Sequence, residues 1–445
     1  MTPLRLSLGP LDESVRASAS RAERAAAGLW KRDTATWSSA AGVQAKVANR
    51  LGWLDSPQLM ANSIDRLTGF AAGIRAAGFT DVVLLGMGGS SLAPEVLRAI
   101  VGVTPGWPRL HMLDSTDPAA VRATATTPAT TLFILASKSG GTIEPNSLAA
   151  HFRATLEHAG VANWSEHFIA ITDEGTDLAK RARAERFRDV FINPSDIGGR
   201  YSALSFFGMV PSALMGQDVA AIIRRGQEML AAARAETSAL ANPAVALGLA
   251  MAASARAGHD KLTLLLPDAF EPFGLWVEQL VAESTGKNGA GVVPIAGEAV
   301  GPVSVYGNDR LFIDARPGSA PALEPSVTID WTDRHALGAE FMRWEIATAI
   351  AGALLEINPF DEPNVQQAKD ATNRLLDAFK TSGALPVTPP ALKRPDDIEL
   401  TVSHAAAAAL GNRDAASFLS VLTDGDYFAQ LAYVSPSSEL RPPQT

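Results

Sequence analysis

The stretch with the densest potential for chemistry is Ser137-Lys138-Ser139-Gly140-Gly141-Thr142. It follows a run of β-branched and apolar residues, Thr131–Ala136, that reads as a fully buried strand. An apolar-periodic segment, Pro145–Leu156, follows and predicts a helix. A strand that ends in hydroxyl and glycine residues before a helix start can hold a phosphate. Glycines let the backbone approach the anion, N–H groups at the helix N-terminus point at it, and hydroxyls add donors. Lys138 adds a positive charge. A Ser/Gly-rich βα loop needs no ligand in general, but three hydroxyls, two glycines and a lysine within six residues favour the phosphate reading.

Four further segments carry candidate groups. Gly86-Met87-Gly88-Gly89-Ser90-Ser91 closes the strand predicted over Asp81–Met87. It lacks the last glycine of the dinucleotide fingerprint and suits close backbone approach to a sugar, with Ser90 as a donor. In Asp196-Ile197-Gly198-Gly199-Arg200-Tyr201-Ser202, two glycines precede an arginine. A guanidinium presented on such a bend can stabilise an enediolate or a phosphate oxygen; the plain alternative is a surface turn. In Trp276–Lys287, Gln279 and Glu283 lie four apart and share one helix face, although a glutamate near a helix end is ordinarily solvated. The fourth segment, Asn358–Lys369, ends in Lys369, which taken alone is an ordinary surface lysine.

These groups need a scaffold, and the composition supplies the terms for one. The chain has 445 residues, 47% hydrophobic and 19% charged, with no cysteine. It has ample length for a large core and two domains. Absence of cysteine excludes disulfides, thiolate–zinc sites and cysteine nucleophiles, and fits a reducing, cytoplasmic compartment. A net charge of −9 argues against nucleic-acid binding. An anionic ligand must therefore meet a local positive pocket. No apolar run is long enough to span a bilayer, and the first residues lack a signal-peptide layout.

Strand patterns at Asp81–Met87, Leu110–Asp114, Thr131–Ala136, His167–Thr172 and Val190–Asn193 alternate with helical ones. A second series follows at Leu262–Pro267, Gly291–Ile295, Leu311–Asp314 and Val327–Trp331. This alternation predicts an α/β fold with doubly wound parallel sheets and ligands at the C-terminal strand ends. Asp218–Ser254 reads as one long Ala-rich helical stretch between the series, and Leu337–Glu356 and Val365–Phe379 as later helices. The expected organisation is a helical N-terminal arm over 1–50, a first α/β subdomain over 51–215, a second over 216–375 and a helical C-terminal tail over 376–445.

Taken together, GMGGSS, SKSGGT, SDIGGRYSALSFFG, QxxxESTGK and NPFDEPNVQQAK resemble the glucose-6-phosphate isomerase family from about Asp81 to Lys369. The resemblance implies two SIS-type subdomains with an active site between them, completed at a homodimer interface, and no cofactor or metal. It implies interconversion of glucose 6-phosphate and fructose 6-phosphate through an enediolate, a step of glycolysis and gluconeogenesis. By position, Ser137, Ser139 and Thr142 would hold the phosphate with Lys138 beside them, and Ser90 and Gly199 would contact the sugar. Arg200 would stabilise the enediolate, Glu283 would move the proton between C1 and C2 with Gln279 next to it, and Lys369 would assist ring opening.

Departures from the family pattern are as informative. Glu362, Asn364 and Gln366 stand where relatives commonly have Gln, Gly and Glu. The family's ring-opening histidine segment has no match between Glu283 and Lys369, where His335 alone occurs, in a context that reads as a helix start. The chain is most similar to the isomerase part of bifunctional transaldolase/glucose-6-phosphate isomerase proteins, in which the histidine segment lies downstream of a stretch like Asp426–Val434. The expectation is therefore an isomerase portion lacking that C-terminal segment, with a transaldolase separate or fused. Nothing in the chain resembles a transaldolase barrel. Two alternatives stay open: a sugar-phosphate-binding SIS module without catalysis, and an isomerase of another phosphorylated aldose such as mannose 6-phosphate.

Overall fold

A computed structural model describes residues 4–124, 126–234, 236–316, 323–331, 333–393 and 399–423. Met1–Asp361 forms one compact unit and the described residues of Glu362–Val434 a second. The expected boundary at 375 thus falls at Asp361, just before a helix rather than inside it. Asp426–Val434, compared above with bifunctional proteins, lies outside the described residues.

The first unit opens with strand β1 (Arg5–Ser7) and helices α1 (Asp12–Lys31), α2 (Ala41–Ala48), α3 (Ser56–Ala61) and α4 (Ile64–Ala76). Strands β2 (Asp81–Leu85), β3 (Arg109–Leu113), β4 (Thr131–Ala136), β5 (Phe168–Asp173) and β6 (Asp189–Asn193) then alternate with α5 (Leu92–Ile100), α6 (Pro118–Ala123), α7 (Ile143–His158) and α8 (Asp177–Ala184). They make a parallel sheet in the order β3-β2-β4-β5-β6. Every residue of β2, β4 and β5 is buried, because helices cover both faces; parallel strands therefore read as continuous apolar runs. The direction of winding reverses between β2 and β4, so the crevice beyond their C-terminal ends is where such a sheet binds ligands.

Helices α9 (Phe206–Leu214), α10 (Val219–Arg234) and α11 (Val245–Arg256) lead to the second sheet. The long stretch expected over Asp218–Ser254 is two helices. Asn242 and Pro243 break it: Asn242 Oδ1 accepts from the N–H groups of Ala244 and Val245 at 3.1 Å, while its Nδ2 donates to Ala233 O at 2.7 Å. Strand β7 (Lys261–Leu265), helix α12 (Phe273–Thr285), β8 (Val293–Ile295), β9 (Arg310–Asp314) and β10 (Ser326–Thr328) follow. The sheet order β1-β10-β9-β7-β8 is parallel except for β1, which pairs antiparallel with β10. The first four strands of each series thus share one winding order. The N-terminal residues expected as a separate arm instead complete the second half: β1 closes its sheet edge, and α1 buries Val15, Ala22, Ala25 and Leu29 in a layer with α11 and α13 (Leu337–Leu355). These observations give the pair of doubly wound α/β subdomains expected above. In the second unit, α14 (Pro363–Ser382) is followed by a two-stranded pair, β11 (Leu392–Lys393) and β12 (Glu399–Leu400), and by α15 (His404–Leu410). No helix among the described residues is long and apolar enough to cross a membrane.

Helix α13 is buried along nearly its whole length and packs on α10, α11 and α12. At Gly338 a Cβ would fall 1.9 Å from Ile222 O, so only glycine permits the approach to α10. Glu345, 1% exposed, lies on the same helix; its Oε1 has no hydrogen-bond partner among the described residues, and Ala203 N–H serves its carboxyl. Burial holds this carboxyl protonated well above the ordinary glutamate value of 4.5, with the Ala203 bond opposing only in part. The folded state then binds a proton that the unfolded chain releases, so stability falls as pH rises beyond the ordinary glutamate range. Urea unfolding at a series of pH values is expected to show this decline. Glu345→Gln is expected to flatten it and to raise the midpoint at neutral pH; an unchanged slope would contradict a buried neutral acid.

Candidate active site

The β2 and β4 strands lie in register, with Leu85 opposite Leu135, so the Gly86–Ser91 and Ser137–Thr142 turns leave neighbouring strand ends. The second turn is tied to β5: Ser137 N donates to Ile171 O at 3.0 Å and Asp173 N to Lys138 O at 3.3 Å. Ser137 is buried, and its hydroxyl shares a 3.0 Å hydrogen bond with that of Thr142. Thr142 is the residue before α7, yet its side chain does not cap that helix, so it leaves the first N–H groups open. Ser139 is exposed, with Gly141 N donating weakly to its hydroxyl at 3.4 Å. Hydroxyls and a helix N-terminus therefore converge where the sequence suggested a phosphate cradle.

Lys138 is engaged elsewhere. Its ammonium is bonded to the Asp173 carboxylate and donates to Ser195 O at 2.7 Å. Burial pushes the Asp173 carboxyl above its ordinary range, while the Lys138 hydrogen bond and charge pull it back. The sequence pointed to Lys138 as positive charge for the cradle; the structure gives that charge a carboxylate at the end of the next strand. Periodicity places Asp173 on β5 but cannot show that the two side chains meet.

The Gly86–Ser91 and Ile197–Ser202 turns meet backbone to backbone. A Cβ on Gly89 would lie 2.3 Å from Gly199 O, and Ser202 Oγ bonds Gly199 O at 2.6 Å and Gly89 O at 3.3 Å. Ser90 is half-buried, and its hydroxyl makes no hydrogen bond among the described residues. From the second half, α12 turns its apolar face inward through Phe273, Trp276, Val277, Leu280 and Val281, leaving Gln279 and Glu283 half-buried on the opposite side. Gln279 reaches the first turn: its Nε2 would be 2.7 Å from a Cβ on Gly88.

Arg200 is only 4% exposed, and its Nη1 stands 3.7 Å from Glu283 Oε1. Its Nη2 donates to Asp361 O at 2.9 Å. The surface-turn alternative for Arg200 is thereby removed. Tyr201, fully buried between Trp53 and Phe360, anchors the turn from below. Ser90, Gly199, Arg200, Gln279 and Glu283 are brought together, with the cradle on the adjoining strand. Lys369 lies on α14 of the second unit, where it is exposed. His335 sits in the short turn before α13, where its N–H donates to Asp333 Oδ1 at 2.8 Å, as a helix-start residue does. Sequence reasoning missed Lys287 and Asp361, which bond each other next to Arg200. The only local signal was a scarce lysine directly after a helix-ending Ser-Thr-Gly.

Residues 38–306 match the family model described as phosphoglucose isomerase. The chain belongs to that family. The glucose-6-phosphate isomerase of Trichormus variabilis is 27% identical over 401 residues, covering 73% of this chain and 74% of that protein. Among solved structures, a protein of Thermus thermophilus described as hypothetical aligns with TM-score 0.66 and 24% identity, covering 84% of this chain and 99% of that one. A glucose-6-phosphate isomerase of Chlamydia trachomatis aligns with TM-score 0.60 and 22% identity, over 71% and 73% of the two chains. These alignments establish the fold. As an isomerase of the phosphoglucose isomerase family, the chain acts on a sugar phosphate.

The contact between the glycine turns yields a test. Gly89→Ala forces the Gly199 carbonyl away and Arg200 with it. Sugar-phosphate isomerase activity is expected to fall about 100-fold, the scale of a 1 Å misplacement, with circular dichroism unchanged.

Proposed function

We propose that this chain interconverts glucose 6-phosphate and fructose 6-phosphate, with Glu283 as the base that carries the proton between C2 and C1. The observation that carries the reading is the 3.7 Å pairing of a half-buried carboxylate with a buried guanidinium beside two glycine turns. In the open-chain aldose, Glu283 removes the C2 proton. The C–H electron pair becomes the C1–C2 double bond as the C1 carbonyl oxygen takes up negative charge. Arg200 stabilises that oxyanion. The same carboxyl returns the proton to C1 while the C2 hydroxyl proton passes to O1, leaving the 2-ketose. One acid–base group is enough, so the balance of the step calls for no redox partner.

The phosphate fits the hydroxyls of Ser137, Ser139 and Thr142 and the first N–H groups of α7. In this reading Lys138 acts indirectly, by neutralising Asp173 so that no carboxylate charge repels the anion. Ser90 and the Gly199 backbone suit the sugar hydroxyls, Gln279 orients the carbon backbone beside Glu283, and Lys369 assists ring opening. A cytoplasmic compartment fits the cysteine-free composition, a homodimer fits the resemblance to the isomerase family, and a transaldolase on the same or a separate chain fits the similarity to bifunctional proteins.

A second reading, a binder without turnover, is favoured by one observation. None of the seven histidines hydrogen-bonds a residue of the Arg200–Glu283 cluster among the described residues. Sugars also open spontaneously, so turnover limited by ring opening is the expected result. A coupled assay separates the readings. Glu283→Gln is expected to lower kcat about 1,000-fold, within the range for loss of a general base, with sugar-phosphate affinity retained. Equal background rates in both proteins would leave the binder.

A further inference from the structure

Lys287 follows the last turn of α12, four residues after Glu283, and its side chain is 9% exposed. An ammonium brought this far out of water needs acceptors for its three donors. It has Asn358 O at 2.6 Å, Asp361 O at 2.9 Å and Asp361 Oδ1 at 2.6 Å. All belong to the Asn358-Pro359-Phe360-Asp361 turn that follows α13. The turn is pinned on its apolar side by Phe360, which is buried against Trp37 and Tyr201 with ring centroids 5.0 and 5.3 Å away. Asn358 Oδ1 accepts from Phe360 N at 3.0 Å and fixes the bend. What remains to be held is the polar end, and there the Asp361 carbonyl accepts from two cations at once: Lys287 and, at 2.9 Å, Arg200.

We propose that Lys287 is a positioning residue: it clamps the Asn358–Asp361 turn and, through the Asp361 carbonyl they share, holds the Arg200 guanidinium beside Glu283. This rests on the roles given to Arg200 and Glu283 above. Two like charges meet at one carbonyl because the Asp361 carboxylate sits on the lysine side and Glu283 on the arginine side, so each cation has its own anion. Without the ammonium, two carbonyls and a carboxylate lose a charged donor, and the end of the turn is free to swing. Arg200 then loses a fixed acceptor and follows it away from the developing oxyanion. Lys287 touches no reacting atom in this scheme. Its effect falls on the enolisation step rather than on phosphate binding.

The test compares wild type, Lys287→Met, Lys287→Arg and Glu283→Gln with glucose 6-phosphate carrying protium or deuterium at C2. Lys287→Met is expected to lower kcat about 10- to 100-fold, the scale of losing a supporting residue. KM should stay within about threefold, since ground-state binding is untouched. Its deuterium isotope effect should exceed that of wild type, because slower proton transfer is no longer masked by ring opening. A purely structural lesion would reduce the active fraction and leave the isotope effect where it was. Lys287→Arg should recover much of the rate, and Lys287→Gln serves if the methionine variant does not fold. An unchanged kcat and isotope effect in Lys287→Met or Lys287→Gln, with Glu283→Gln inactive, overturns this inference alone. Full activity in Glu283→Gln overturns the underlying reading, and this inference with it.

Discussion

A guanidinium almost wholly withdrawn from water must be met by acceptors, and that requirement organises the centre of this protein. Arg200 comes from the first half of the fold, Glu283 from the second, and Asp361 from the turn that ends the first unit. A buried charge lacking either partner would be costly, because desolvation of an uncompensated ion outweighs what apolar packing returns. The two halves are therefore locked in one relation at the place where proton transfer is assigned. The glycine turns serve the same end. A side chain at Gly89 would hold the two backbones apart and shift the Gly199–Arg200 turn away from its carboxylate partner.

Charge around the proposed phosphate cradle is handled differently. The chain carries a net −9, yet its cradle lysine is committed to a buried aspartate. In the reading proposed here the anion is left to neutral donors: hydroxyls, and the amides at the start of α7, which the Thr142 side chain does not cap. Helix N-termini can do this without a mobile cation, since the amide dipoles are already oriented when the ligand arrives. With the roles proposed for Arg200 and Glu283, the full positive charge stands where negative charge would develop during reaction rather than where it is permanent. Transition-state stabilisation calls for that placement, because only interactions that strengthen along the reaction coordinate accelerate it.

The two sheets repeat one winding order, and α10, α11 and α13 pack on one another in a helical layer. In the first half the winding reverses between β2 and β4, the kind of place where such a sheet binds ligands. In the second half the corresponding region supplies a helix, α12, and so contributes side chains rather than a cradle. The missing fifth parallel strand of the second sheet is replaced by β1 from the chain's start, running antiparallel. That substitution covers an edge that would otherwise present unpaired N–H and C=O groups.

The amino-acid sequence by itself determined the local pieces: β4 over Thr131–Ala136, the hydroxyl-rich turn after it, the glycine turns and the Gln279–Glu283 face of α12. These follow from periodicity, backbone sterics and turn chemistry, which act between neighbours in the chain. Breaks inside regular patterns were less legible, as at Asn242-Pro243, where three side-chain hydrogen bonds of Asn242 override the alanine-rich helical signal. The three-residue strand β1 was too short to carry any period. Only the tertiary structure decided which charges meet. Lys138 finds Asp173, Arg200 finds Glu283, and Lys287 finds Asp361, each pair set by packing of elements distant in sequence. Residue type states that a buried charge needs a partner; which partner it obtains depends on which surfaces the folded core brings within a few ångströms.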